Sequence, residues 1–331
     1  MQLIFKLGKT PLLSIAEIYS VMQSKNIQFS VINADNNILY INLDSNIYPD
    51  ILMKILGGTT EIFTVEDIIT RDNAKKVKNI NKVNIDNEKT AYGQIVAKQD
   101  IKEFEKKEIN KPYTQGKGGM LPSKLAKIML NLGITKDTEA IYDPYMGTGT
   151  ILMEALIQGY KVIGSDINTD SVKGTRKNLL WTSEEFGVEN QSQLFLNDAR
   201  SLPEQLLNRD ENISIVTEPY LGSSWSKPVS KNVRNIKIIN SIDKMIQSSI
   251  RSLTKILKNN QRLVIIIPSF KTKHDIIYLK ARSMDYGNLR KISIIPENFL
   301  FESKKLGKLE SFFYYREKAI VRREIFIFEK Y

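Results

Sequence analysis

The sequence has no cysteine and only one histidine, His274, in 331 residues. These shortages exclude disulfides, thiolate metal sites and cysteine nucleophiles, and they leave a histidine-built zinc centre or a serine–histidine triad without material. No metal is expected. Long apolar runs are also missing, so no segment is expected to span a bilayer. The opening MQLIFKLGKTP has no cationic start, apolar stretch or small-residue cleavage site of a signal peptide. A soluble, cytoplasmic protein is the expectation, with chemistry built from carboxylates, backbone groups and a cofactor. The formal charge of +11 suits a polyanionic partner. It is equally the charge of a solvated basic surface, since Ile, Lys and Asn are abundant throughout.

Hydrophobic periodicity predicts two folded parts. Residues 1–68 read as strand, helix, strand, strand, helix, strand, with Asn36-Asn37 at a hairpin turn and Gly57-Gly58 closing the second helix. That order predicts a small ferredoxin-like α+β module. Residues 69–110 are lysine- and asparagine-rich and read as a linker or insert. In residues 111–331, strands at 139–143, 161–166, 192–198, 214–218 and 262–268 alternate with helices, the pattern of a doubly wound α/β sheet that binds ligands beyond the carboxyl ends of its strands. Two closing runs, SFFYYRE and REIFIFEK, predict an antiparallel hairpin on the sheet edge.

The turn after the first of these strands reads Asp143-Pro144-Tyr145-Met146-Gly147-Thr148-Gly149-Thr150 and leads into a helix. Its glycines let backbone approach a ligand, and the helix start offers unpaired N–H groups. The turn has neither the Gly-Lys-Ser/Thr ending of a phosphate-binding loop nor the third glycine of a dinucleotide fingerprint. Asp143, Asp166 and Asp198 close three successive predicted strands at the same edge. One strand-end Asp is ordinarily a turn or cap residue. Three of them beside a glycine turn match a molecule with a cationic amino-acid end, two ribose hydroxyls and an adenine amine, which is S-adenosylmethionine.

These residues resemble the RNA methylases that modify the exocyclic amine of guanosine in tRNA, many of which carry a THUMP domain. The resemblance runs through LIFKLGKTPLLSIAEI, GMLPSKLAKIMLNL, DPYMGTGTILMEA, VIGSDIN, the pair Asp198-Ala199, IVTEPYLG and RREIFIFEK. It implies a class I methyltransferase fold with S-adenosylmethionine as cofactor and tRNA as partner. It also implies that Asp143, Gly147 and Gly149 cradle the methionine portion, with Pro144, Tyr145, Thr148 and Thr150 in the same turn. Asp166 with Ile167 would then hold the ribose, Asp198 with Ala199 would face the adenine, and Met120 to Pro122 would help close the pocket. Glu218, Pro219 and Tyr220 fall on the family's catalytic motif. That motif has an acid, two prolines and an aromatic residue, whereas this chain reads Glu218-Pro219-Tyr220-Leu221-Gly222. The patterned sequence before GMLPSKLA is also short for a complete THUMP domain.

In this reading Glu218 and the Pro219 carbonyl accept hydrogen bonds from a substrate amine, and Tyr220 stacks on an extruded base. Alternatively, Glu218-Pro219-Tyr220 is a plain strand terminus. A methyltransferase acting on DNA amines and an RNA-binding homologue without catalysis remain the rival functions.

Overall fold

The computed structural model describes residues 1–44, 47–74, 81–114, 120–207, 209–222, 225, 227–314 and 319–331. Its first elements are β1 (Gln2–Leu7), α1 (Pro11–Ser24), β2 (Phe29–Ala34), β3 (Ile38–Leu43), α2 (Pro49–Ile55), β4 (Thr59–Thr70), α3 (Arg71–Ala74), β5 (Asn81–Asn84), β6 (Lys89–Lys98) and α4 (Ile101–Ile109). Then come α5 (Ser123–Gly133), β7 (Ala140–Asp143), α6 (Thr150–Ile157), β8 (Lys161–Asp166), α7 (Thr169–Phe186), β9 (Ser192–Leu196), α8 (Glu204–Leu207), β10 (Ile213–Thr217) and α9 (Val233–Leu253). The chain ends with β11 (Arg262–Lys271), β12 (Ile276–Tyr278), β13 (Leu289–Lys291), β14 (Leu300–Phe301), β15 (Lys304–Lys305), β16 (Ser311–Tyr314) and β17 (Val321–Lys330). It divides into two units, Met1–Glu103 with Ile294–Leu309, and Phe104–Ser293 with Glu310–Tyr331.

In the first unit, β2-β3-β1-β4 follow one another in the antiparallel order of a ferredoxin-like module. Central β1 and β3 are apolar on both faces, whereas edge strand β2 alternates. The boundaries differ from those expected. Far from being a linker, the 69–110 stretch extends this sheet with β6 and β5, β6 pairing with β4 from Thr70↔Lys89 to Glu61↔Lys98 across two register shifts, and from Phe104 onward it belongs to the second unit. Composition hid β5 because it buries Val83 alone and turns Asn81, Lys82 and Asn84 to water. Residues 75–80 of that stretch lie outside the described residues. Residues 294–309, assigned by pattern to the large domain, also belong here: Phe299 packs edge-on against Tyr19 at 5.8 Å, and the Glu302 amide donates to the Ala34 carbonyl at 2.9 Å.

The second unit is built on parallel strands whose apolar runs are covered on both faces, as β7, β10 and β11 show in their almost unbroken burial. The order is β13-β17-β11-β10-β7-β8-β9, with β12 and β16 attached to β11 and β17. Pairing is parallel from β9 through β11, and β17 runs antiparallel to both β11 and β13. β16 and β17 do pair as the expected hairpin, but β17 is interior and not at the edge. Its core residues, Ile325 to Phe328, need cover on both sides, which an edge position would not give. Residues 315–318 between them lie outside the described residues. Among the described residues no helix is long and apolar enough to cross a membrane.

Within the first unit, one buried carboxylate ties α1 to the turn after α2: Glu17 accepts from the amides of Gly57 and Gly58, both at 2.8 Å. Removing it strands two buried donors, so Glu17→Ala is expected to lower unfolding free energy by about 3 kcal/mol in urea denaturation. A loss under about 1 kcal/mol would show that water replaces the carboxylate.

Candidate functional site

The site lies beyond the carboxyl ends of β7, β8 and β10, where the strand order reverses around β7. Asp143 ends β7 and is 2% exposed. Its Oδ1 accepts from the Thr217 hydroxyl at 2.6 Å and from the Tyr145 amide at 3.1 Å. Burial dominates these bonds and pushes its pKa up to about 7, with the nearby Asp166 and Glu218 acting in the same direction.

The following turn is pinned from below. Gly147 and Gly149 take positive φ, +52° and +77°, and a Cβ on Gly149 would stand 2.6 Å from Thr175 Cγ2. The Gly147 amide donates to Asp166 Oδ2 at 3.0 Å, while its carbonyl accepts from the Thr175 hydroxyl at 2.8 Å. Asn178 donates to the carbonyls of Thr148 and Tyr113 at 2.8 and 2.9 Å. From the segment before α5, buried Lys111 reaches the Thr148 and Thr150 hydroxyls at 3.3 and 3.2 Å. Burial lowers its pKa, which Glu108 opposes.

Asp166 ends β8, and its Oδ1 accepts from the Asn168 amide at 2.9 Å. Ile167 beside it is 70% exposed, an apolar side chain that no core contact claims. Strand β9 stops at Leu196, so Asp198 stands two residues past the strand and does not close it, as the sequence suggested it would. Arg200 grips Asp198, donating through Nε to Oδ1 at 3.0 Å and Oδ2 at 2.9 Å, and so holds that carboxyl below its usual range.

A cavity of about 710 Å³ gathers Pro144, Tyr145, Asp166, Ile167, Asp198 and Ala199 on one side and α9 on the other. Helix α9 is tied to the turn by the Tyr145 and Ser249 hydroxyls, 2.6 Å apart. Asp143, Gly147, Thr148, Gly149, Thr150, Met120 and Pro122 are not among the lining residues. Pro122 instead stands at the start of α5, where its carbonyl accepts from the Ala126 amide at 2.9 Å. A smaller adjoining cavity of about 290 Å³ is lined by Tyr220, Ile238, Ile242 and Met245 with Lys237 and Ser241.

Glu218 follows β10 and is largely buried, its side chain 11% exposed. Arg323 of β17 donates to it through Nε at 2.6 Å. Burial raises the Glu218 pKa, and the guanidinium pulls it back down. Sequence reasoning missed Arg323, because β17 reads as a sheet strand and nothing in its pattern names a partner 105 positions away. It likewise missed Lys111, Thr175, Asn178 and Arg200, and it left α9 without a role. His274 is exposed, in keeping with a surface residue.

The sheet order, with its antiparallel strand set beside the last parallel one, and the glycine turn at the acid-rich edge define a class I methyltransferase fold. The crystal structure of TrmN from Thermus thermophilus shares the fold, with a TM-score of 0.55 and 12% identity over 100% of both chains. Residues 112–286 match the RMKL-like methyltransferase domain (UPF0020), and the chain belongs to that family. Among curated relatives, the tRNA (guanine(10)-N2)-dimethyltransferase of Methanothermobacter thermautotrophicus is 38% identical over 115 residues, 34% of this chain and 31% of the relative. The protein of that name from Pyrococcus abyssi is 32% identical over 169 residues, 51% of this chain and 44% of the relative. The chain thus spans less than half the length of these two relatives.

Asp143 carries a pH signature. Its carboxyl binds a proton in the folded chain up to about pH 7 but only to about 3.8 when unfolded. The folded state therefore holds the extra proton between those values, and this group's contribution to stability is lost as pH rises from about 4 to 7. Asp143→Asn keeps an acceptor for Thr217 and removes the titration. Urea midpoints are expected to fall more steeply across that window in the parent chain than in the variant; parallel curves would contradict the shift.

Proposed function

We propose that this chain transfers a methyl group from S-adenosylmethionine to the exocyclic N2 amine of a guanosine in tRNA. The observation that carries the reading is a buried acid, Glu218, paired with Arg323 at the end of the strand next to the glycine turn.

The donor set suits S-adenosylmethionine. Each oxygen of Asp166 accepts one backbone N–H and has a further lone pair for a ribose hydroxyl. Ile167, Ala199 and Pro144 give the cavity apolar surface for an adenine, and Asp198 would meet its amine by releasing Arg200, which now donates to both carboxylate oxygens. Buried Asp143 suits a cationic amino-acid end, which would draw it toward ionisation. When bound, S-adenosylmethionine supplies an electrophilic sulfonium methyl.

The chain's own residues would do the rest. Glu218 accepts one hydrogen of the substrate amine and the Pro219 carbonyl the other, which aligns the nitrogen lone pair and gives its proton a destination. Tyr220, 56% exposed, is available to stack on the base although it stands where the family motif has its second proline.

Labelled S-adenosylmethionine offered separately with tRNA, ribosomal RNA and DNA, followed by nucleoside analysis, is expected to yield N2-methylated guanosine from tRNA. Label in DNA, or donor binding without transfer to any pool, would replace this reading with one of its rivals. Glu218→Gln is expected to retain donor binding and lose about 10²–10⁴ in turnover. Asp166→Ala should weaken donor binding in calorimetry by at least about tenfold, the value of one hydrogen bond to a charged group. Arg323→Met removes the cation that opposes burial at Glu218, so the acid limb of its pH–rate profile should move upward, with Arg323→Lys between. An unmoved acid limb would take Glu218 out of the proton path.

A further inference from the structure

Helix α9 presents Arg234, Lys237, Ser241, Lys244, Ser248 and Arg251 to solvent at spacings of three and four residues, so they form one stripe. At 1.5 Å rise per residue the stripe is about 25 Å long. Among the described residues none of its four cations is engaged by a carboxylate. The helix has one acid, Asp243, which is buried and accepts from the Ala281 amide at 2.9 Å. Several other surface cations of this unit do have acidic partners, Lys161 and Arg209 in Glu211, Lys231 in Asp275 and Arg290 in Glu329. A helix face that carries four cations and no exposed acid is not the mixed surface that solubility alone requires.

The stripe also has a place. Lys237, Ser241, Lys244 and Ser248 line the larger cavity, opposite Asp166 and Asp198. Lys237 and Ser241 continue into the smaller cavity, which Ile238, Ile242, Met245 and the half-exposed Tyr220 also line. An apolar slot with one exposed aromatic suits a flat base lifted from its strand, and cations around its mouth suit the phosphates on either side of it.

We propose that α9 is the strand grip of this protein: single-stranded RNA flanking the target nucleotide runs along the stripe, its phosphates on Lys237, Lys244, Arg234 and Arg251, while the target base enters the slot beside Tyr220. This rests on the RNA substrate proposed above and adds how that substrate is held. The chemistry is non-covalent and sequence-tolerant, since neither lysines nor stacking reads base identity.

Fluorescence anisotropy with an unmodified tRNA transcript tests it without any methyl transfer. For Lys237→Gln/Lys244→Gln the dissociation constant at 0.1 M salt is expected to rise at least about tenfold, and the slope of log affinity against log salt to become shallower by about 1.4, two phosphates at about 0.7 each. Lys237→Arg/Lys244→Arg should restore both. Arg234→Gln/Arg251→Gln, at stripe positions that line neither cavity, should also weaken RNA binding while donor affinity by calorimetry changes less than about twofold. Equal RNA affinity and equal slope in parent and variant overturn the grip, whether or not tRNA proves to be methylated. Weakened donor binding with unchanged RNA binding also overturns it, by giving the lysines to the donor. The nucleoside analysis above stands or falls independently of these curves.

Discussion

The ion pair between Glu218 and Arg323 is the constraint around which the second unit is arranged. A carboxylate at the end of a fully covered strand loses its hydration, and a buried charge without a partner costs several kcal/mol, enough to neutralise the group. The partner has to come from another strand, because β10 offers only Ile, Ser, Val and Thr before the acid. Strand β17 supplies it by running antiparallel beside β11 in a register that sets Arg323 opposite Pro268. The interior position of the last strand is thus tied to the chemistry at the end of another.

The neighbouring carboxylate is held in a different way. Asp143 has a hydroxyl and an amide but no cation, so burial wins and its carboxyl is protonated far above the usual range. Burial raises both acids at the ends of these adjacent strands, but only Glu218 has a guanidinium that opposes the shift. A difference in partners of this kind lets a single fold give like groups distinct tasks. In the proposed reading Glu218 receives a proton and Asp143 waits for a cation.

Much of this was legible in the chain because it lay in short-range pattern. Gly147 and Gly149 mark their turn by type, the strand-end acids by position, and the β-α-β-β-α-β order of the first module by alternation. What failed was long-range or edge-dependent. β5 and β6 are polar on their outer residues, and their burial comes from β4 as much as from their own sequence. Residues 294–309 carry Ile294, Ile295 and Phe299, whose partners in the first unit lie far back in the sequence. Arg323, Lys111 and Asn178 gain meaning only through partners brought near by the fold, and no periodicity encodes that. Met120 and Pro122 show the reverse, a motif-derived expectation that the cavity walls do not include.

The departures in Glu218-Pro219-Tyr220-Leu221 can be read against this geometry. A glutamate has one more methylene than an aspartate, and here that length ends on a guanidinium at 2.6 Å. Tyrosine in place of a second proline frees the backbone there and leaves a ring facing the slot beneath α9, while Leu221 one position later is half-buried. Proline fixes φ and removes a donor, so a second one would stiffen the loop. In the proposed reading its absence shifts the work of orientation from the loop's backbone to the ion pair of Glu218 and to α9. If substrate is held mainly by α9 and only aligned by Glu218, the altered motif need not weaken binding. Its cost would fall on the precision of alignment, and therefore on turnover before affinity.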